Sequence, residues 1–170
     1  RFFRKFFPAM VTAFTTQSSV GTLPVTVRTL KERVGVSDEV ANFTSSLGTT
    51  IGMPGCTCIW PVLLVQFFVH ATGLEWGAAE YIRLAIVALL LSVGSAGVPG
   101  IAVVSAIGLF GALGLPVGAV VLMQPINTVS DMIRTANNVT AAGIAATAVA
   151  RENGLIDDGV FGSKAEVSEQ

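Results

Sequence analysis

Residues 81–113 read YIRLAIVALLLSVGSAGVPGIAVVSAIGLFGAL, and this stretch decides the fold. Its two arms, residues 81–93 and 101–113, are apolar and only about 13 residues long. At about 1.5 Å of rise per residue each reaches roughly 20 Å, short of a hydrocarbon core of about 30 Å. Between them Gly94, Gly97, Pro99 and Gly100 interrupt any helix. Two half-length helices joined in this way predict a re-entrant hairpin, whose tip is tolerable at membrane depth only within protein or a wet cavity. The rest of the chain supports lipid as its solvent. Of 170 residues, 52% are hydrophobic and 12% charged, against about 25% charged in a soluble domain. Residues 40–74 and 84–130 carry no charge at all. Two cysteines and this apolar content exclude a disulfide scaffold and a disordered chain. A net charge of −1 offers no footprint for nucleic acid.

Working outward, residues 6–16 lead into the turn formers Gln17, Ser18, Ser19, Gly21 and Pro24, and residues 25–34 continue as a more basic helix. Residues 40–69 hold the break Gly52-Met53-Pro54-Gly55, which should unwind a helix in its middle. Residues 115–151 can run as one helix of ~50 Å, kinked at Pro125. The predicted architecture is an all-α membrane protein. It has a first re-entrant hairpin (1–38), a broken transmembrane helix (39–72), a second re-entrant hairpin acting as the gate (78–114), a last transmembrane helix (115–151) and a polar, mobile cytoplasmic tail (152–170). The tips SSVGTLP and GSAGVPG resemble each other, so the plan reads as a weak inverted repeat of the kind secondary transporters use. Arg1, Arg4, Lys5, Arg28, Lys31 and Arg33 place the first residues in the cytoplasm, and Glu75 and Glu80 place the next polar connection outside. A multi-pass protein of the cell membrane follows. No cleavable signal is visible, and the chain reads as a fragment.

The strongest chemical signal is on the last helix. Positions 127, 131, 134, 135, 138 and 142 share one face, so Asn127, Asp131, Arg134, Thr135 and Asn138 form a polar stripe among Ala, Val, Ile and Met. Asp or Arg at the bilayer centre costs about 2.5–3.5 kcal/mol each and usually marks a solute pathway. The stripe suits a zwitterion: Asp131 for an ammonium, Arg134 for a carboxylate, Asn138 for another oxygen. The alternative is an Asp–Arg pair at i, i+3 that only neutralises itself. The tips, with Ser18, Ser19, Gly21 and Gly97, bring backbone amides and hydroxyls toward an anionic group. Cys56 and Cys58 read first as small buried hydrophobes, His70 as a boundary residue, and Trp60, Trp76 and Tyr81 as packing or interface aromatics. GSAGVPG lacks the phosphate-loop spacing. No nucleophile–base–acid set exists, so an enzyme is not expected.

AFTTQSSVGTLPVTVRTLKE (13–32), SVGSAGVPG (92–100) and SDMIRTANNVT (130–140) together resemble the C-terminal transport core of the dicarboxylate/amino acid:cation symporters, the glutamate-transporter family. The resemblance covers about residues 4–151. It implies a homotrimer whose transport domains move elevator-fashion against scaffold helices absent from this chain. It also implies that Asp131 binds the substrate amino group and Arg134 the side-chain carboxylate, with Thr135, Asn138 and Cys56 facing the substrate. Ser18, Ser19 and Val98 match the hairpin tips. Thr50, Met53, Ser92, Val93 and Ser95 match a sodium site made mostly of carbonyls. Where the family reads Asn-Met-Asp-Gly-Thr, this chain has Gly52-Met53-Pro54-Gly55-Cys56, and a further sodium-binding aspartate is Ala142. A hard cation needs oxygen ligands, so sodium side chains are lost. The Thr50-Ile51-Gly52 and Gly55-Cys56 pattern is closer to the L-cystine branch.

The function these readings imply is a symporter for acidic amino acids or dicarboxylates, coupled to protons or to fewer sodium ions than usual, with no cofactor beyond the coupling Na+ or H+. An L-cystine or neutral amino-acid symporter is the alternative within the class. An anion-conducting channel or a substrate-free membrane subunit are the alternatives outside it. The expected partners are the small-molecule substrate, membrane lipid, the scaffold helices and two further copies.

Overall fold

The computed structural model describes residues 1–93 and 100–163. Among them the chain is helical: α1 (Phe2–Thr16), α2 (Ser19–Thr29), α3 (Asp38–Ile51), α4 (Trp60–Thr72), α5 (Ala78–Val93), α6 (Ile101–Leu113), α7 (Gly118–Leu122), α8 (Gln124–Glu152) and α9 (Asp158–Gly162). Single π turns, Leu30–Val34 and Gly55–Ile59, follow α2 and precede α4.

The first turn is tighter than its composition suggests. α1 ends at Gln17 in the left-handed conformation (φ 53°), its N–H on Ala13 O. Ser18 then caps α2, its hydroxyl oxygen accepting the Gly21 N–H at 3.0 Å. Gly21 and Pro24, expected in the turn, lie inside α2. The cap satisfies one of the N–H groups that a helix start leaves unpaired, so the chain reverses within two residues and α2 packs back on α1.

The long apolar stretch breaks where glycine and proline demand it. α3 stops at Ile51, and Gly52 N–H closes on Gly48 O at 2.9 Å. The π turn then rewinds the chain: Met53 O accepts from Cys56 N (3.1 Å), Thr57 N (3.0 Å) and Thr57 Oγ1 (2.8 Å). By length and composition residues Asp38–Thr72 are the stretch, among those described, apolar and long enough to cross a membrane. α6 is a shorter apolar helix, packed on both α5 and α4. The tip expected between α5 and α6, with Gly97, Val98 and Ser95, lies outside the described residues.

Two expectations are corrected. Residues 115–151 do not form one kinked helix. α7 ends at Leu122, and α8 begins at Gln124 with Pro125 in its first turn. Proline there lacks only an N–H that a helix start leaves unpaired anyway, so it starts the helix rather than bending it. The segment after α8 is not free as far as Ser163. Val36 and Ile156 form a β-bridge, Ser37 N–H meets Leu155 O at 3.0 Å and Asp157 N–H meets Gly35 O at 2.8 Å. Asp157 caps α9, and Arg151 pairs with Asp158 at 3.1 Å while lying over the Phe161 ring. Lys5, buried although charged, completes the clasp by donating to Arg33 O (2.9 Å), Val160 O and Ser163 Oγ (3.2 Å). Three acceptors satisfy its ammonium, which explains how a lysine can be buried here. Lys5→Ala is therefore expected to release this segment. Backbone amides of residues 155–162 should exchange hydrogen at least about tenfold faster, the loss of one or two charge-assisted bonds. Unchanged exchange would show that the clasp holds without the lysine.

Two apolar cores flank α8. One gathers Trp60, Leu64, Val65, Val69, Leu84, Ala88, Ala102, Ala106, Leu109 and Phe110. The other gathers Phe6, Ala9, Ala13, Leu30, Val34, Ala41, Val139, Ala146 and Ala150. Large apolar side chains also face outward, Phe3, Phe7, Val11 and Phe14 along α1 and Ile82, Ile86, Leu90 and Val93 along α5. Outward faces of this kind suit lipid or further protein rather than water.

Candidate functional site

The first half of α8 carries the polar stripe, and the fold turns it inward. Asn127, Asp131, Arg134, Thr135 and Asn138 are all buried, none more than 9% exposed. Burying a charge requires a partner. Arg134 Nη2 donates to Asp131 Oδ1 at 3.0 Å and to Asn127 Oδ1 at 2.8 Å, the latter two helical turns back along the same face. Arg134 Cζ also sits 4.4 Å from the centroid of the Trp60 ring. Among the described residues its buried Nε and Nη1 have no hydrogen-bond partner. A guanidinium has five N–H donors, so the pair with Asp131 leaves donor capacity unmet.

The break between α3 and α4 supplies the opposite wall. Gly55 N–H donates to Asn138 Oδ1 at 3.2 Å. A side chain on Gly55 would start 3.1 Å from that oxygen and 3.3 Å from Arg134 Cβ, so glycine lets the π turn lie directly on α8. The Cys56 thiol donates to Asp131 Oδ1 at 3.6 Å. Asn138 Nδ2 reaches Cys56 Sγ at 3.4 Å and Met53 Sδ at 3.6 Å. Ser19 Oγ, from the first residue of α2, also reaches Met53 Sδ at 3.6 Å. A continuous polar chain therefore runs from Ser19 through Met53, Asn138, Cys56 and Asp131 to Arg134. Around it Gln17, Ser19, Met53, Cys56, Ile101, Asp131 and Thr135 enclose a cavity of about 10 Å³, room for about one water. A larger solute enters only if these walls part.

Asp131, Arg134, Thr135, Asn138, Ser19 and Cys56, chosen from the sequence, thus lie together. Ser18, at the same turn, caps α2 with its side chain. Val98 and Ser95 lie outside the described residues. Of the carbonyls matched to a sodium site, that of Met53 is engaged in this conformation. Thr50 is exposed and its hydroxyl donates to Leu47 O at 2.9 Å. The Met53 carbonyl already carries three donors, and a carbonyl has two lone pairs. Ser92 Oγ donates to Leu89 O at 2.9 Å, and Val93 is exposed. A cation bound at Met53 O would have to displace at least one of its donors. Among the described residues no group of His, Cys, Asp and Glu could hold a metal.

The sequence suits Trp60 to packing or to an interface, and nothing in its spacing ties it to Arg134. The acceptor role of Asn127 was closer to hand, since its place on the Arg134 face follows from helical periodicity. Gln17 and Ile101 reach the cavity only through tertiary packing.

A model of the sodium:dicarboxylate symporter family matches residues 1–152. The chain belongs to that family. It is a family of membrane transport proteins rather than enzymes, in keeping with the two long uncharged runs. Among individual relatives, the L-cystine uptake protein TcyP of Bacillus anthracis is 33% identical over 162 residues, 95% of this chain and 35% of the relative. The L-cystine uptake protein TcyP of Shouchella clausii is 35% identical over 159 residues, 93% of this chain and 34% of the relative. An uncharacterized symporter of Haemophilus influenzae is 36% identical over 147 residues, 86% of this chain and 33% of the relative. The chain spans about a third of the length of these relatives.

Proposed function

We propose that this chain forms the solute-binding core of a secondary active symporter for an amino acid that carries a second carboxylate, with L-cystine as the first choice and L-aspartate as its competitor. One observation carries the reading. Arg134 is buried beside Asp131 yet keeps two nitrogens without partners among the described residues. An ion pair that existed only to neutralise itself would gain by satisfying both. Asp131 offers its carboxylate to a solute ammonium, and Arg134 offers Nε–H and Nη1–H to the distal carboxylate. L-cystine fits the Cys56 thiol where the family usually has a hydroxyl, and two of the relatives above are named for its uptake.

In this reading α1 with α2 and α5 with α6 are re-entrant hairpins related as an inverted repeat, and the whole protein is a multi-pass trimer that moves its transport domains elevator-fashion. The short, apolar α5 and α6, the reversal at Gln17 and Ser18 and the outward-facing phenylalanines of α1 support that arrangement. The deciding experiment uses the full-length protein in liposomes. Unlabelled L-cystine and L-aspartate should displace labelled L-cystine, while L-alanine and succinate, each missing one recognised group, should do so only at much higher concentration. Equal displacement by succinate would remove the ammonium contact from the account, and no binding of any amino acid would overturn it.

Coupling follows the missing oxygens. Gly52, Pro54 and Ala142 offer no side-chain ligand to a hard cation, and the Ala142 methyl packs against Gly48. Uptake is expected to persist in sodium-free buffer under an inward proton gradient. Loss of all uptake without sodium would refute proton coupling.

A further inference from the structure

Arg134 is held from three directions. The Trp60 ring covers one face of its guanidinium at 4.4 Å, Asn127 and Asp131 both accept from Nη2, and Gly55 sits so close that a Cβ on it would meet Arg134 Cβ at 3.3 Å and Cγ at 3.6 Å. We propose that Trp60 is a positioning residue for the solute's second carboxylate, fixing the plane of the guanidinium so that its unpartnered N–H groups meet that carboxylate edge-on. The proposal rests on the reading of Arg134 given above and adds to it the residue that selects among di- and monocarboxylate solutes.

The argument is geometric. A guanidinium donates only in its own plane, whereas an indole attracts it through the face. With Trp60 on one face, that face is closed to water and solute, and rotation of the side chain would break the stack. Without the ring, Arg134 is free to turn both forks onto Asp131 in the bidentate geometry this pair favours, and the donors offered to a solute are lost. Trp60 is itself fixed from outside the site. It is 7% exposed and packs in the core that contains Leu84 and Ala88 of α5 and Ala102, Ala106 and Leu109 of α6. The packing of α5 and α6 on α4 therefore sets the orientation of Arg134.

The test measures binding to the full-length protein with two probes, L-cystine and S-methyl-L-cysteine, which shares the amino and α-carboxyl groups but lacks the second carboxylate. Trp60→Leu keeps apolar bulk and removes the π face. It should raise the Kd for L-cystine about tenfold, the scale of a desolvated cation–π contact, and leave that for S-methyl-L-cysteine within about twofold. Trp60→Phe restores a ring and should fall between. Equal weakening of both probes, or of neither, overturns the proposal. If the leucine variant does not fold, the phenylalanine variant decides by the same comparison. Arg134→Lys separates the two levels of inference. Loss of L-cystine binding there, with both Trp60 variants normal, refutes the role of Trp60 alone. Normal L-cystine binding in Arg134→Lys refutes the reading of Arg134 beneath it.

Discussion

Arg134→Ala is expected to weaken binding of L-cystine or L-aspartate by upward of thirtyfold. Removing one partner of a buried, hydrogen-bonded charge contact costs about 2–5 kcal/mol. Here the loss has two parts. The solute's second carboxylate loses its donors, and Asp131, 7% exposed, loses the cation at 3.0 Å that offsets its burial. An uncompensated buried charge destabilises by about 3–5 kcal/mol, so the variant should also unfold at lower temperature. The two effects separate with a double variant. Asp131→Asn with Arg134→Ala removes both charges, which should recover much of the lost stability but none of the affinity. Competition by L-aspartate against labelled solute, read beside thermal unfolding, checks both. Undiminished competition in Arg134→Ala would mean that the guanidinium serves the fold and not the solute.

Gly48→Ala should cause a large loss of stability from a single added methyl group. A Cβ there would lie 2.6 Å from Ala142 Cβ, and both atoms are fixed to helix backbones that cannot yield by a rotamer change. Overpacking a dense interior costs about 1–3 kcal/mol. The strain also falls one turn before the break that carries Met53 and Cys56, and one turn after Asn138. Moving α3 away from α8 would therefore loosen the Gly55–Asn138 contact and weaken solute binding as well. The compensating change is Ala142→Gly, which removes the opposing methyl. The double variant Gly48→Ala/Ala142→Gly should regain most of the unfolding temperature and the affinity. If Gly48→Ala alone is as stable as the parent, helix packing at this point is looser than the geometry implies.

What could be read before folding follows from local rules. The apolar arms, their glycine and proline interruptions and the polar face of α8 depend on periodicity and backbone chemistry, which short windows of sequence contain. The break at Gly52 and Pro54 is legible for the same reason. Misreadings arose where a local signal has two outcomes. Pro125 can bend a helix or start one, and α8 uses it to start. Residues 152–163 look solvated because they are polar, yet Lys5 and the Val36–Ile156 bridge fasten that segment to elements far away in the chain.

By itself, then, the sequence determined an all-helical chain for a lipid environment, with one helix carrying Asp131, Arg134, Thr135 and Asn138 on a single face. Helical geometry and the cost of exposing charge to hydrocarbon leave little other choice. Only the tertiary structure decided what meets that face: the Met53 and Cys56 sulfurs, the Gly55 amide, Ser19 from the first turn and the Trp60 ring over Arg134. Those contacts join residues far apart in sequence, and they depend on how closely helices approach, a quantity fixed by glycines such as Gly48 and Gly55 only once a partner helix is in place.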